Sequence, residues 1–272
     1  VTRRLALDHL TVTDTTPSQL IAVASEVGCE AVCLFMQPMD VLPHMPHFEL
    51  IGATAELRET RARCDALNVS VDLVYPFTLT GRTDVTAFLP ALETAAHLRA
   101  RAVNVLLYDR NPVRRLDVFG SFCELAAAHD LEVAVEFYPL SQIRTLAEAV
   151  DLVAQRLPGR VGINVDLLHL KRSGADVSDV ATVPANLIRY AQYCDGAATM
   201  EQSRWEWEAS SQRLLPGMGV FEVATFARAL PPNTRASVEL PQEDALLAGL
   251  PVIERARRAV DAVRCAIEST PA

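Results

Sequence analysis

Four polar side chains end stretches that are otherwise largely apolar. Glu136 closes Val133-Ala134-Val135-Glu136, Asp166 closes Gly162-Ile163-Asn164-Val165-Asp166, Gln192 ends Ile188-Arg189-Tyr190-Ala191-Gln192, and Glu239 ends Ser237-Val238-Glu239. Strand alternation puts Ala134 with Glu136, Asn164 with Asp166 and Ser237 with Glu239, so each acid shares a face with small or polar neighbours that fit a barrel interior. Three converging carboxylates repel one another, and a bound divalent cation resolves that conflict. With an amide carbonyl they form an all-oxygen set that suits Mn²⁺ or Mg²⁺ better than Zn²⁺. Each acid taken singly has a plainer role, capping the next helix or pairing with an arginine; three acids and a Gln at matching strand ends are harder to assign that way. His169 follows Asp166 in the pattern Asp-Leu-Leu-His, which sets an imidazole on the loop above the expected cation.

Those residues must be delivered by a parallel sheet. Short β-branched runs alternate with longer Ala/Leu/Arg-rich stretches, the pattern of an α/β fold. Strands are expected near Leu5–Leu7, Ala31–Phe35, Val69–Val74, Ala102–Leu107, Glu132–Glu136, Val161–Asp166, Ile188–Gln192 and Ala236–Glu239. Thr16-Pro17 opens the first helix and Gly28 closes it. Further helices are expected from Asp84 to Leu98, Arg115 to His129, Thr145 to Gln155 and Asp244 to Ile267. Eight such units in 272 residues match a closed (β/α)8 TIM barrel, whose chemistry gathers at the carboxyl ends of the strands. An open doubly wound sheet would carry a Gly-rich phosphate turn after its first strand, whereas Leu7 is followed by Asp8-His9-Leu10-Thr11. No linker, low-complexity tract or repeat marks a second domain, so residues 1–272 are expected to form one.

Composition excludes several classes. The net charge of −9 without a Lys/Arg cluster argues against a nucleic-acid partner. No apolar run approaches the ~20 residues of a membrane span, and the opening VTRRLALDHL lacks a signal-peptide stretch, which makes a cytoplasmic protein the expectation. The six cysteines are scattered without a CxxC pair and read as buried thiols. Lys171 is the one lysine, so a Schiff-base aldolase has a single candidate, placed beyond the strand end.

Several loop and strand-end residues are candidates to hold a substrate. The segment 36–48, with three of the five methionines and two of the six histidines, reads either as a lid over the pocket or as packing on the barrel rim or a partner subunit in a homo-oligomer. Trp205 and Trp207 follow strand seven, and Trp205 is a candidate wall for a ring-shaped ligand. Tyr75, Tyr108, Asp109 and Tyr138 lie at strand ends; Tyr108 is a candidate substrate contact, with rim packing the alternative. His9 is either a substrate contact or a rim residue. Arg110, Arg114, Arg115, Lys171 and Arg172 could mark a phosphate site, but no Gly-rich turn accompanies them.

At these residues the chain resembles the xylose isomerase-like TIM barrels of the sugar phosphate isomerase/epimerase family. That family shows a strand-five Glu, a strand-six Asp-x-x-His, a strand-seven His or Gln three residues before an Asp, and a strand-eight Glu. This chain supplies Glu136, Asp166 with His169, Gln192 before Asp195, and Glu239. The run Arg213-Leu214-Leu215-Pro216-Gly217 is similar to the family's loop after strand seven. The resemblance implies Glu136, Asp166, Gln192 and Glu239 as metal ligands, His169 as a substrate or outer contact, and Arg213 as a substrate contact. Two departures bear on activity. Gln142 stands where ketose 3-epimerases carry a further Glu, and Gln192 replaces the usual His, as it does in bacterial 3-dehydroshikimate dehydratases.

The combined expectation is a metal-dependent isomerase or epimerase that removes a proton next to the carbonyl of a hydroxy-ketone or keto-sugar derivative. Glu239 or Glu136 would take the proton, with His169 serving the developing oxyanion. A lyase of the same fold, expelling a β-oxygen, shares the first step. A non-catalytic ligand-binding barrel or hetero-oligomer subunit is the rival from another class.

Overall fold

The computed structural model describes residues 4–154, 156 and 159–268. Eight parallel strands close into a barrel in the order of the sequence. These are β1 (Leu5–Asp8), β2 (Ala31–Phe35), β3 (Ser70–Leu79), β4 (Ala102–Leu107), β5 (Glu132–Glu136), β6 (Val161–Asp166), β7 (Ile188–Tyr193) and β8 (Arg235–Val238). Helices α1 (Pro17–Glu26), α2 (Ala55–Leu67), α3 (Leu89–His97), α4 (Pro112–Ala128), α5 (Leu146–Val153), α6 (Leu167–Arg172), α7 (Trp205–Ser210), α8 (Val223–Ala229), α9 (Glu243–Leu247) and α10 (Val252–Glu268) lie between and after them. The strands are almost wholly buried because helices cover their outer faces while side chains fill the interior.

Local chemistry explains the boundaries. The Thr16 side chain accepts the Gln19 N–H, Gln19 reaches back to the Thr16 N–H, and Pro17 stands at the first helical position. Asn111 caps α4 through the Val113 and Arg114 N–H groups, starting that helix before Arg115. At the far end, Arg255 Nη2 reaches both oxygens of Asp14 at 2.7 and 2.6 Å, tying α10 to the loop after β1.

Several boundaries differ from expectation. β3 runs on through Pro76 to Leu79, since its register against β4 shifts between Val74 and Phe77 and absorbs the proline at an irregularity. The stretch from Asp244 to Ile267 is two helices, because Gly249 (φ 78°) turns the chain out of α9 and Pro251 follows before α10. β8 ends at Val238, so Glu239 is the first residue beyond its strand. Gln155, expected at the end of the fifth helix, lies outside the described residues.

No helix among the described residues is long and apolar enough to cross a membrane. Cys29, Cys33, Cys64, Cys123 and Cys194 are buried and Cys265 is exposed. Burial pushes the Cys29 and Cys123 thiols up to about 12, leaving them inert near neutral pH.

Candidate active site

Adjacent strands set the site by register. Glu136 pairs with Asn164 across β5 and β6, Asp166 with Gln192 across β6 and β7, and Gln192 with Ser237 across β7 and β8. All of these lie toward the carboxyl ends of their strands, and all are buried. Asp166 is also the cap of α6, its Oδ1 accepting the Leu168 N–H at 2.7 Å. The chain therefore turns into helix at once, and one turn later His169 stands back over the acids. Its Nε2 is 3.2 Å from Glu136 Oε1 and 3.4 Å from Asp166 Oδ2, with the Tyr138 ring packed against it at 4.5 Å. One ligand atom from each of Glu136, Asp166 and His169 falls within 4.8 Å of the other two.

Arg213 enters the same cluster from the loop after β7. Its Nη1 is 3.0 Å from Asp166 Oδ2 and 2.8 Å from Glu239 Oε2, and the guanidinium also donates to Ala209 O. Asp195 folds the loop that delivers it. Its carboxylate accepts the N–H groups of Gly196, Gly217, Gly219 and Phe221 at 2.8–3.1 Å. Gly219 must be glycine for this wrap, since a Cβ there would lie 2.3 Å from both Asp195 Oδ1 and Gly196 O. A second anchor holds α7: the buried Glu208 takes Arg172 Nε and Nη2 at 2.7 and 2.6 Å, joining α7 to α6.

A fourth carboxyl group, Asp8 at the end of β1, completes the layer. The Tyr75 hydroxyl and the Leu10 N–H donate to its Oδ1, the Ser237 hydroxyl lies 3.4 Å from Oδ2, and the Gln192 amide is a further partner. Burial pushes Asp8 up to about 6, overriding these donors. Burial also drives Glu239 well above the carboxylate range, with Asp8, Asp166 and Glu136 adding repulsion that Arg213 only partly offsets. Asp166 goes the other way: burial alone would raise it, but Arg213 and His169 outweigh that and hold it at about 2.

The donor set fits a cation. Asp8, Glu136, Asp166 and Glu239 are all buried, and among the described residues their ion pairs come from Arg213 and His169 alone. Glu239 Oε2 has Arg213 nearby yet accepts no aligned hydrogen bond, and Asn164 Oδ1 is likewise buried without a partner. Acceptors left without a partner in so buried a layer are costly unless something electropositive meets them.

The remaining expected residues are distributed as follows. Gln192 sits beside Asp166 in register, with its Oε1 accepting from Asn164 Nδ2 at 2.6 Å. Both His9 nitrogens are engaged, Nε2 with Thr15 O at 2.8 Å and Nδ1 with the Phe35 N–H at 3.3 Å, while burial lowers the ring to about 4. His9 is thus held as a neutral ring stacked on Phe48. Tyr108 is half-buried and, through burial and the nearby Glu136, pushed up to about 12. Trp205 is half-buried on α7 and gives its indole N–H to Met200 O. Arg114 pairs with the buried Asp109, Lys171 with the exposed Glu222 and Arg172 with the buried Glu208, so these cations already have acidic partners within the chain. In the segment 36–48, Met36, Leu42 and Phe48 are buried whereas Val41, His44 and His47 are exposed.

Sequence reasoning passed over Asp8, Tyr75 and Asn104 as members of this layer. Asp8 carried the same signal as the other acids, a carboxylate closing an apolar strand, Leu-Ala-Leu-Asp.

A family model described as a xylose isomerase-like TIM barrel matches residues 21–266. No curated protein matches the chain in sequence. Among solved structures, the IolI protein with a bound zinc atom is similar at a TM-score of 0.77 and 16% identity, covering 98% of both chains. The probable 3-DHS dehydratase AsbF from Bacillus anthracis is similar at 0.72 and 16%, covering 94% of this chain and 98% of that one. A D-psicose 3-epimerase determined in the presence of D-fructose gives 0.71 and 14%, covering 97% and 99%.

Proposed function

The chain belongs to the xylose isomerase-like TIM barrel family, and on that premise we propose that it is an enzyme that holds one divalent cation and removes a proton from the carbon beside a ketone. Glu136, Asp166, Gln192 and Glu239 would hold the cation, Mn²⁺ or Mg²⁺. The observation that carries the reading is the crowding of four buried carboxyl groups around one guanidinium, with Glu239 Oε2 accepting no aligned hydrogen bond. The imidazole beside Glu136 and Asp166 adds a nitrogen donor, which brings Zn²⁺ into the range to be assayed. When bound, such a cation supplies a Lewis acid that polarises the carbonyl of a hydroxy-ketone.

This chain's own groups divide the proton work. Glu239 would serve as the base in its ionised form, which a bound cation would favour over the neutral form that burial otherwise favours, and its Oε2 accepts no aligned hydrogen bond. Glu136 is more constrained, with Asn104 on one oxygen and His169 beside the other. His169 Nε2 is placed to give a proton to an oxyanion formed above the acids, and Tyr138 fixes the plane of its ring. Half-buried Tyr108 and Tyr138 lie near Glu136, and Trp205 is half-buried on α7.

Reprotonation of the carbon gives an isomerase or epimerase of a keto-sugar-like substrate. Gln142 favours a second reading, a lyase that expels a β-oxygen, because an amide cannot serve as the opposite base of a two-base epimerisation. Proteins of both kinds, a D-psicose 3-epimerase and a probable 3-DHS dehydratase, share this fold. Incubation of the metal-loaded protein with a panel of hydroxy-ketones and keto-glycosides in deuterated water tests the proposal. Deuterium at the α-carbon is expected, and a dehydrated or cleaved product assigns the lyase. Turnover with neither exchange nor an isotope effect on an α-deuterated substrate overturns the mechanism. A purified protein that takes up no Mn, Mg, Co or Zn points instead to a non-catalytic barrel.

A further inference from the structure

A band of buried side-chain amides crosses the barrel between Glu136 and Gln192. Asn104 Nδ2 donates to Glu136 Oε2. Asn164 Nδ2 donates both to Asn104 Oδ1 at 3.2 Å and to Gln192 Oε1 at 2.6 Å. Both asparagines are buried, as are the two residues they join. A carboxamide turned end for end keeps its shape, so its partners alone decide which atom faces which way.

Here the partners leave one arrangement. As a cation ligand the Glu136 carboxylate only accepts, so Asn104 presents its NH₂ to it and its oxygen to Asn164. Asn164 must then present an NH₂, whose two hydrogens go one to Asn104 and one to Gln192. Gln192 is left to meet Asn164 with oxygen and to turn its own NH₂ away, toward the carboxyl group of Asp8. Both arms of the chain thus end on an acid, and neither can be reversed without setting two acceptors face to face. The network is not built for stability alone, since it leaves Asn164 Oδ1 buried without a partner.

We propose that Asn104 and Asn164 are positioning residues that hold the Gln192 amide with its oxygen on the Asn164 side, so that the residue offers oxygen rather than NH₂ to a cation shared with Glu136 and Asp166. The inference rests on the cation reading given above. An amide nitrogen has no lone pair free for a metal, so a reversed Gln192 contributes nothing. A histidine at the same place would need no such device, because either ring nitrogen can ligate.

Asn164→Asp tests this, because an acid at 164 accepts only and draws the NH₂ of Gln192 toward it. The added negative charge by itself would tighten cation binding, so weaker binding runs against the charge effect. Titration with Mn²⁺, the unbound ion followed by electron paramagnetic resonance, should show Kd raised ~10–100-fold, with circular dichroism confirming the fold. In a Gln192→His background the same change should leave Kd unchanged or lower, since imidazole can donate to the new acid and still ligate. Asn164→Ser, which removes the donor without adding charge, covers the case in which the acid does not fold; it should weaken binding less, and only in the Gln192 protein. Mn²⁺ binding by the 164 variants as tight as in the unaltered chain, or an equal loss in both backgrounds, overturns the positioning role while the cation site stands. Absence of Mn²⁺ binding by the unaltered chain overturns the cation reading and this inference with it.

Discussion

Arg213 Nη1 stands 3.0 Å from Asp166 Oδ2, and the two side chains are 1% and 0% exposed. A buried pair of this kind is worth little against an apolar replacement of both partners but is costly to break on one side. Arg213 also bears on Glu239 at 2.8 Å, so it is the resident counter-charge for two of the four acids. Arg213→Met should lower the stability of the chelator-treated protein by about 3–5 kcal/mol in denaturant unfolding. Added Mn²⁺ should then restore more stability to the variant than to the unaltered chain. An unchanged unfolding midpoint without metal would show that the pair does not hold the acid layer together.

Chelation should abolish turnover and Mn²⁺ or Mg²⁺ should restore it. Glu239→Gln separates chemistry from folding, because burial already favours the protonated, neutral form of Glu239 and an amide resembles it. The melting temperature of the metal-free protein should stay close to its original value while kcat falls ~10²–10⁴-fold. Full activity in a metal-free sample would overturn the site.

Asp8 gives the layer a pH dependence of known sign. Its folded pKa of about 6 lies above the ordinary 3.8, so the stability carried by its neutral form is present below about pH 4 and lost as pH rises through 6. Asp8→Asn should therefore gain on the unaltered chain by about 2 kcal/mol between pH 4 and pH 7 in chelator, since each tenfold change in proton affinity is worth roughly 1.4 kcal/mol and part of the change already lies below pH 4. Asp166 has the opposite slope: held at about 2, it contributes above 3.8 and fails only as pH falls through 2. A stability difference between variant and parent that is flat from pH 4 to 7 would contradict the burial cause assigned to Asp8.

The segment 36–48 can be judged at Phe48, which is 2% exposed and stacks on His9 with ring centroids 6.1 Å apart. Phe48→Ala should cost about 3–5 kcal/mol in thermal or denaturant unfolding. Substitution of the exposed His44 and His47 should leave stability unchanged. If KM rises with the histidine changes, the exposed part of the segment reaches substrate; if KM is unchanged in every variant, the whole segment is rim packing.

Much of this molecule follows from short-range pattern. Alternating β-branched runs and capped Ala/Leu-rich stretches suffice for a (β/α)8 barrel, because helix and strand periods are local properties of the chain. Glu136, Asp166 and Gln192 are legible as strand-end residues for the same reason, and the Asp-Leu-Leu-His spacing places His169 one helical turn above Asp166. Local pattern misled where one residue redirects the backbone, as Gly249 and Pro251 do between α9 and α10.

Barrel closure decided the rest. Ser237 meets Asp8 across 229 residues, Arg213 reaches Asp166 across 47, and Asn164 reaches Asn104 across 60. Which amide faces which carboxylate depends on the stagger of neighbouring strands and on a loop wrapped around Asp195, and neither leaves a period in the sequence. The sequence by itself determined that acids would end neighbouring strands. Only the closed barrel decided that Asp8 joins them, that one buried arginine is shared between two of them, and that two asparagines orient the glutamine, because those relations are set by through-space hydrogen bonding in a buried layer.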